Sequence, residues 1–183
     1  MKTTMIFEVI VSTGNPPNFA PMGVIFDGKC ITVRPYRITT TYKNLRETNC
    51  GVVNVTDNVL IFAQSALSDV QFPYSRANVV DSHILEDVCR WYEFVVKDVS
   101  DVESRAEFFC EIVHEGKRRD FFGFNRGKHA VIEATILATR QNLHENSFLR
   151  RELEKCSMIV EKTGGRQERE AMDFISNYVE AHT

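Results

Sequence analysis

The stretch from Tyr36 to Arg46 holds the side chains best suited to binding an anion. The three consecutive threonines Thr39, Thr40 and Thr41 lie between the basic residues Arg37 and Lys43. The threonines end an apolar, strand-like run and open a short helical pattern, in which Thr41 is expected to be the N-cap. Because the first N–H groups of a helix have no intrahelical partner, they and these side chains together suit a phosphate. The pattern therefore indicates a nucleotide-like cofactor or a phosphorylated substrate. The alternative is a threonine-rich strand end with Arg37 and Lys43 in solvent.

A second candidate is the run from Asn15 to Gly23, which contains three prolines and a glycine. The prolines favour a rigid, extended backbone whose N–H and C=O groups can line one edge of a flat heterocycle. Phe19 and Met22 offer apolar contact, and Gly23 permits close approach. The alternative interpretation is an ordinary proline-rich loop between two strands.

Two further positions have polar groups that need an explanation. Asn54 lies among valines in a predicted strand, where its amide needs a partner, either a neighbouring loop or the amide edge of a ligand. His129 and Glu133 are four residues apart on one face of a predicted helix. They are either a general acid–base element or a surface pair.

Composition narrows the class of protein. The 183 residues suit one domain with a small appendage, and the apolar content of 43% can supply a sizeable core. A net charge of −3 argues against a nucleic-acid partner, and no apolar run is long enough for a membrane span. The beginning, Met1 to Glu8, is too quickly acidic for a signal peptide and is predicted to be the first strand. Five scattered cysteines without a Cys-x-x-Cys pair indicate reduced, mostly buried thiols in a cytoplasmic protein without a metal site.

The hydrophobic pattern divides the chain at about residue 125. Residues 1–125 are predicted to form an antiparallel barrel-like sheet with two inserted helices, at about 41–49 and from 57 or 58 to about 67. Asp27-Gly28 predicts a hairpin, and Arg119–Phe124 is expected to add a last strand. Residues 126–183 have a helical period and are predicted to form three helices, which pack on the barrel, on a partner subunit or on both.

Four segments together resemble a known family. Asn15–Gly23, Tyr36–Leu45, Gly51–Asn58 and Asn125–Ala134 resemble an uncharacterised, mainly archaeal family of small flavoproteins. Members adopt the FMN-binding split β-barrel, as the flavin reductases and flavoredoxins do. The resemblance runs from about Phe7 to about Leu143.

This resemblance implies a homodimer that binds FMN near the subunit interface. It implies that Arg37, Thr39, Thr40, Thr41 and Lys43 face the phosphate. It also implies that the isoalloxazine is lined by Asn18, Ala20, Pro21, Met22 and Gly23, with Asn54 at its polar edge. The family has no established reaction, so the resemblance implies a cofactor rather than a substrate.

Three functions remain open at this point. The first is an FMN-dependent oxidoreductase of the flavin reductase type, with a nicotinamide nucleotide or another small molecule as electron donor. The second is a non-catalytic module that senses or carries a flavin or a phosphate ligand. The third is a structural dimerisation domain, which would be colourless as purified.

Overall fold

The computed structural model describes residues 5–182, which form eight strands and five α-helices. The strands are β1 (Ile6–Thr13), β2 (Asn18–Asp27), β3 (Cys30–Val33), β4 (Cys50–Val55), β5 (Tyr74–Arg76), β6 (His83–Leu85), β7 (Arg90–Val102) and β8 (Arg105–Lys117). The helices are α1 (Thr40–Thr48), α2 (Val59–Leu67), α3 (Arg126–Thr139), α4 (Asn146–Thr163) and α5 (Arg166–Ala181). The start of the predicted first strand, residues 1–4, lies outside the described residues, as does residue 183.

Six strands close into an antiparallel barrel in the order β1-β2-β3-β8-β7-β4, and β4 pairs back onto β1. Strands β5 and β6 pair separately as a short hairpin. The turn predicted at Asp27-Gly28 joins β2 to β3, and Gly28 has a φ of 65°, which glycine adopts without steric cost. The predicted mainly β architecture, with an antiparallel barrel, two inserted helices and C-terminal helices, is confirmed.

The barrel interior is filled by apolar side chains from alternate positions of its strands. Its largest buried members include Phe94 of β7 and Phe108 of β8, with Val9, Val11 and Val24 beside them. Burying a side chain of this size stabilises a fold by about 1.5–3 kcal/mol. Because alternate residues of a strand point to opposite faces, the positions between these point out of the barrel.

Polar side chains on the outside of the barrel hold the segment 72–89. Ser82 Oγ donates to the carbonyl of Ser12 at 3.1 Å. Glu93 of β7 is completely buried and accepts hydrogen bonds from the backbone N–H groups of Asn78 and Val79 at 2.9 and 2.7 Å. The sequence analysis left this segment without an assigned structure, because its partners lie on strands distant in the chain.

Strand β8 ends at Lys117, so the predicted last strand at Arg119–Phe124 is wrong. Arg119 instead bonds Asp87, with Nη2 at 2.7 Å from Oδ1. Its backbone N–H donates to the carbonyl of Cys89 at 3.3 Å. These contacts turn the chain away from the sheet ladder after β8.

Among the described residues, the helical unit comprises 57–71 and 121–182, whereas the barrel unit comprises 5–56 and 72–120. The sequence analysis counted the insert 57–71 with the barrel. In the structure Val59 and Ala63, which are buried residues of α2, pack in the apolar core formed by α3, α4 and α5.

The start of α3 carries a lysine whose charge would oppose the helix dipole. Lys128 Nζ lies 2.8 Å from Glu168 Oε1 of α5 and 2.6 Å from the carbonyl of Asp57. A side chain of the same unit therefore supplies the anion that this turn requires.

Candidate functional site

The segment predicted to bind an anion lies where the chain leaves β3 and enters α1. We call it the anion-binding corner, and its predicted contact residues are Arg37, Thr39, Thr40, Thr41 and Lys43. The N-cap of α1 is Thr39, whose Oγ1 accepts from the N–H of Tyr42 at 3.3 Å, so the predicted cap at Thr41 is wrong by two residues. Thr41 is 1% exposed, and its Oγ1 accepts a hydrogen bond from Asn18 Nδ2 at 3.0 Å. Its hydroxyl oxygen thus accepts a hydrogen bond within the barrel unit, and its predicted contact with the phosphate stays a prediction.

The remaining members of the corner are open to solvent. Arg37, Thr40 and Lys43 are exposed, and Thr39 is half-buried. The first turn of α1 has no acidic residue, so nothing in that turn repels an anion. Two cations and the start of a helix thus lie within one short segment, which suits the binding of a phosphate.

The hydrogen bond from Asn18 to Thr41 joins the two segments that the sequence analysis singled out. Asn18 is the first residue of β2, and Thr41 lies in the first turn of α1. The two residues are 23 positions apart, and nothing in the local pattern of either segment predicts their contact. The proline-rich strand therefore begins beside the anion-binding corner.

The first half of β2 has one free edge. Strand β1 pairs with β2 along its length, from Asn18 to Ile25, but β3 pairs with β2 only from Val24 to Asp27. The chain leaves β3 after Val33 and turns into the corner before α1. Among the described residues, no strand pairs with the backbone edge of residues 18–23 that faces away from β1.

The side chains of this half-strand do not all face that ligand. Met22 packs against the barrel core, whereas Phe19, on the opposite face, makes ring contacts with Phe72 and Tyr74. A Cβ at Gly23 would lie 2.4 Å from Cγ2 of Ile6, so this glycine is required by packing against β1. Since Ala20 and Pro21 also alternate between faces, any contact of all five predicted residues with one ring must be made by their backbone.

Asn54 has hydrogen-bond partners within the barrel unit. It is 0% exposed, and its Oδ1 accepts from the N–H of Leu85 at 2.9 Å. Its Nδ2 lies 3.0 Å from Ser12 Oγ and 3.2 Å from the carbonyl of Ile10. The amide therefore binds a neighbouring segment, which supports the first of the two interpretations, and the placement of Asn54 at the edge of a flavin stays a prediction.

We expect Asn54→Leu to lower the free energy of unfolding by about 1–2 kcal/mol, because the N–H of Leu85 loses its buried acceptor. Urea unfolding followed by Trp91 fluorescence measures this change. Asn142→Leu, the same substitution at an exposed position, is the control and should change stability by less than ~0.5 kcal/mol. Equal stability of the two variants would contradict the role given to the Asn54 amide.

Gly14 and Asn44 are residues of the site that the sequence analysis missed. Asn44 Nδ2 donates to the carbonyl of Thr13 at 3.1 Å and so ties α1 to the end of β1. Gly14 has a φ of 76°, and a Cβ there would lie 2.4 Å from Asn44 Nδ2. The available signal was the glycine placed directly before Asn15-Pro16, which marks a turn.

His129 and Glu133 lie on an exposed groove of about 440 Å³ in the helical unit. His129 makes a ring contact with Phe124, with centroids 5.9 Å apart. Cys156 also lines this groove, and burial followed by the charge of Glu133 raises the pKa of its thiol, which makes it a poor nucleophile. Within residues 5–182 no group of three His, Cys, Asp or Glu side chains is arranged to hold a metal ion.

The five cysteines are free thiols, and Cys50, Cys89 and Cys110 are buried, as predicted. Burial raises the pKa of Cys110 to about 12. None of the described helices is long and apolar enough to cross a membrane.

Two family models match the chain, and the first of them includes residues 57–71, which the structure places in the helical unit. Residues 7–119 match the family model described as "Protein of unknown function (DUF447) N-terminal domain", and residues 125–177 match "Protein of unknown function (DUF447)". An uncharacterised protein of Methanocaldococcus jannaschii is 25% identical over 187 residues, covering 93% of this chain and 96% of that protein.

Solved structures share the fold. An FMN-bound protein of Methanosarcina mazei, assigned to the same family model, has a TM-score of 0.83 and 26% identity, and the match covers 94% of each chain. A flavoredoxin from Methanosarcina acetivorans has a TM-score of 0.54 and 11% identity, and the match covers 62% of this chain and 69% of that one. The barrel is thus of the split-barrel type that was predicted.

Proposed function

We propose that this chain, which belongs to the DUF447 family of uncharacterised archaeal proteins, binds FMN between the α1 corner and the free edge of β2. The observation that supports the proposal is the hydrogen bond from Asn18 to Thr41, which joins the start of β2 to the first turn of α1. The donor set proposed for the phosphate would then lie beside a strand edge that has no strand partner among the described residues. The FMN-bound Methanosarcina mazei relative supports the identity of the ligand.

The corner and the first half of β2 would each hold one end of this cofactor. Arg37, Lys43, Thr40 and the N–H groups of the first turn of α1 would hold the phosphate, and Thr39 caps the helix that presents them. The backbone of residues 18–23 would lie along the isoalloxazine, with donors and acceptors along one edge. Thr41 acts indirectly, by fixing Asn18 against the corner.

The reaction that we propose is electron transfer of the flavin reductase type. Bound FMN would supply the hydride and electron chemistry, so the chain needs no acid–base triad of its own. This fits the exposed positions of His129 and Glu133 and the raised pKa of the Cys156 thiol, which give the helical unit no activated nucleophile. A nicotinamide nucleotide is the proposed donor. The alternative is a flavin carrier or sensor, and it is favoured if no donor reduces the bound flavin.

The purified protein tests both parts of the proposal. FMN binding is measured by quenching of flavin fluorescence, and riboflavin, which lacks the phosphate, is the matched control ligand. We expect FMN to bind at least tenfold more tightly than riboflavin, because charge-assisted bonds contribute about 1.5–3 kcal/mol each. Equal affinities would contradict a phosphate site at this corner.

Bleaching of the bound flavin under anaerobic conditions tests the reaction. Loss of the visible absorption band on adding NADH or NADPH supports a reductase. A band unchanged by either nucleotide but bleached by dithionite supports the carrier or sensor.

We also propose a homodimer and a cytoplasmic location. The exposed rings of Phe121, Phe122 and Phe124 support a covering partner, because exposed apolar patches mark interaction surfaces. The free, buried thiols support a reducing compartment. Light scattering of the FMN-loaded protein measures the mass, and a monomeric mass would contradict the dimer.

A further inference from the structure

The tip of the β7–β8 hairpin is fastened to both ends of the segment that carries the anion-binding corner. This tip, Asp101–Arg105, includes the turn at Glu103, which has a φ of 51°. The segment runs from Arg34 to Arg46, and Thr39, Thr40 and Lys43 lie within it. The hairpin tip has no place in the cofactor contacts described above.

The first fastening is made on the strand side of the corner. Arg105 Nη2 donates to the hydroxyl of Tyr36 at 2.6 Å, and its guanidinium lies 4.0 Å from the centroid of the same ring. Its Nη1 donates to the carbonyl of Arg34 at 3.3 Å. The backbone N–H of Arg37 donates to the carbonyl of Ser104 at 3.0 Å. The position of Arg37 is therefore set by the hairpin tip.

The second fastening is made on the helix side. Arg46 of α1 contacts both carboxylate oxygens of Asp101, at 2.9 and 2.8 Å. Its Nε donates to the hydroxyl of Tyr42 at 3.2 Å, and its guanidinium lies 5.8 Å from the centroid of Phe108. Both contacts to Asp101 come from the one nitrogen Nη2, while Nε is held by Tyr42, so two groups on different elements fix the guanidinium. The direction of α1, and with it the direction of its first N–H groups, is held by Asp101.

The stability of the fold does not explain this arrangement. The side chains of Arg46 and Asp101 are 41% and 39% exposed, and exposed ion pairs contribute little to folding. The same hairpin carries a comparable pair, Lys97 and Glu111, 3.0 Å apart, which does not touch the corner. Only the first pair joins the hairpin to the helix that opens the corner.

We propose that the hairpin tip is a positioning device for the phosphate site, in which Asp101 and Arg105 hold α1 and Arg37 at the spacing that a phosphate requires. Asp101 acts through Arg46 and does not touch the ligand. This inference rests on the proposed binding of FMN at the corner. It adds that the affinity for the phosphate depends on a negatively charged side chain.

The direction in which Asp101→Asn changes the affinity for FMN distinguishes positioning of the corner from a general effect of charge. Asp101→Asn removes a negative charge from the neighbourhood of an anion, so charge attraction alone predicts tighter binding of FMN. Positioning predicts weaker binding, because the asparagine NH2 group cannot accept from Arg46 as the second carboxylate oxygen does. We expect the dissociation constant for FMN to rise threefold to tenfold and that for riboflavin to stay unchanged.

Titrations of flavin fluorescence on five proteins test the inference. Glu111→Gln, which breaks the other hairpin pair, is the matched control and should leave both ligands unaffected. Asp101→Glu keeps the charge and should recover most of the affinity. Tyr36→Phe, which removes only the hydroxyl that accepts from Arg105, should weaken FMN alone.

The outcomes are distinguishable from failure of the proposed function. If the unmodified protein does not prefer FMN to riboflavin, the phosphate site itself is wrong and the inference falls with it. If it prefers FMN but Asp101→Asn binds FMN equally or more tightly, positioning by the hairpin tip is overturned and the phosphate site stands. A parallel loss of FMN and riboflavin affinity in Asp101→Asn also overturns it, since that would reflect a general disturbance of the fold.

Discussion

Glu93→Gln is expected to lower the free energy of unfolding by about 2–4 kcal/mol. The carboxylate is 0% exposed, and each of its oxygens accepts more than one hydrogen bond. Asn78 N and Nδ2 bind Oε1 at 2.9 Å, and Val79 N and Val80 N bind Oε2 at 2.7 and 3.2 Å. A glutamine turns one of these oxygens into a donor, so at least two buried donors lose their acceptor.

Guanidinium unfolding followed by the fluorescence of Trp91 measures this loss. Trp91 is the single tryptophan of the chain, and its Nε1 lies 3.3 Å from Glu93 Oε1, so it reports on this region. Glu115→Gln, at an exposed position of β8, is the matched control and should change stability by less than ~0.5 kcal/mol. A loss below ~1 kcal/mol in Glu93→Gln would argue that the carboxylate is dispensable for holding residues 78–80.

The same carboxylate predicts a pH dependence. Burial alone would raise the pKa of Glu93, but the hydrogen bonds from Asn78, Val79 and Val80 outweigh burial and hold this pKa below its usual value. As the pH falls, the unfolded chain takes up a proton at Glu93 before the folded chain does. The contribution of Glu93 to stability is therefore complete above the unfolded pKa of about 4.3, and it is lost as the pH falls through the lower pKa of the folded state. The stability difference between the unmodified protein and Glu93→Gln should shrink below about pH 4.3. A difference that stays constant from pH 7 to pH 3 would contradict this assignment.

The elements that could be predicted from the sequence are those specified by neighbouring residues. The Asp27-Gly28 turn was found because glycine accepts a positive φ between two apolar runs. The anion-binding corner could be proposed from the sequence because its threonines and cations are adjacent in the chain. The C-terminal helices were found from their period of apolar residues.

The details that were missed depend on contacts between distant residues. Each of three adjacent threonines can cap a helix, and Thr39 does so while the hydroxyl of Thr41 is engaged by Asn18. Asn54 was open to two interpretations because its Oδ1 accepts from the backbone N–H of Leu85, which is 31 residues away in the chain. The role of Glu93 was not predicted, because an acidic residue in a strand is usually exposed and the loop that it binds is distant in the sequence. Local chemistry located the candidate site, and tertiary contacts decided which of its groups are free.

Arg37→Ala is expected to raise the dissociation constant for FMN by tenfold to a hundredfold. Arg37 is exposed, and its backbone is held by Ser104, so its guanidinium can approach a phosphate at the start of α1 without rearrangement of the chain. A charge-assisted hydrogen bond contributes about 1.5–3 kcal/mol, and ~1.4 kcal/mol is a factor of ten in affinity. Affinity for riboflavin should not change, because this ligand has no phosphate.

Two further variants separate a direct contact from general attraction. Lys97→Ala removes one positive charge from β7, where Lys97 pairs with Glu111 at 3.0 Å, and should leave the FMN affinity nearly unchanged. Arg37→Lys keeps the charge but loses the fork of donors, so its affinity should lie between those of Arg37 and Arg37→Ala. If Lys97→Ala and Arg37→Ala weaken FMN equally, the phosphate senses only net charge and the corner does not bind it. If Arg37→Ala alone weakens FMN and spares riboflavin, the guanidinium contacts the phosphate, since no other difference between these two ligands can account for the loss.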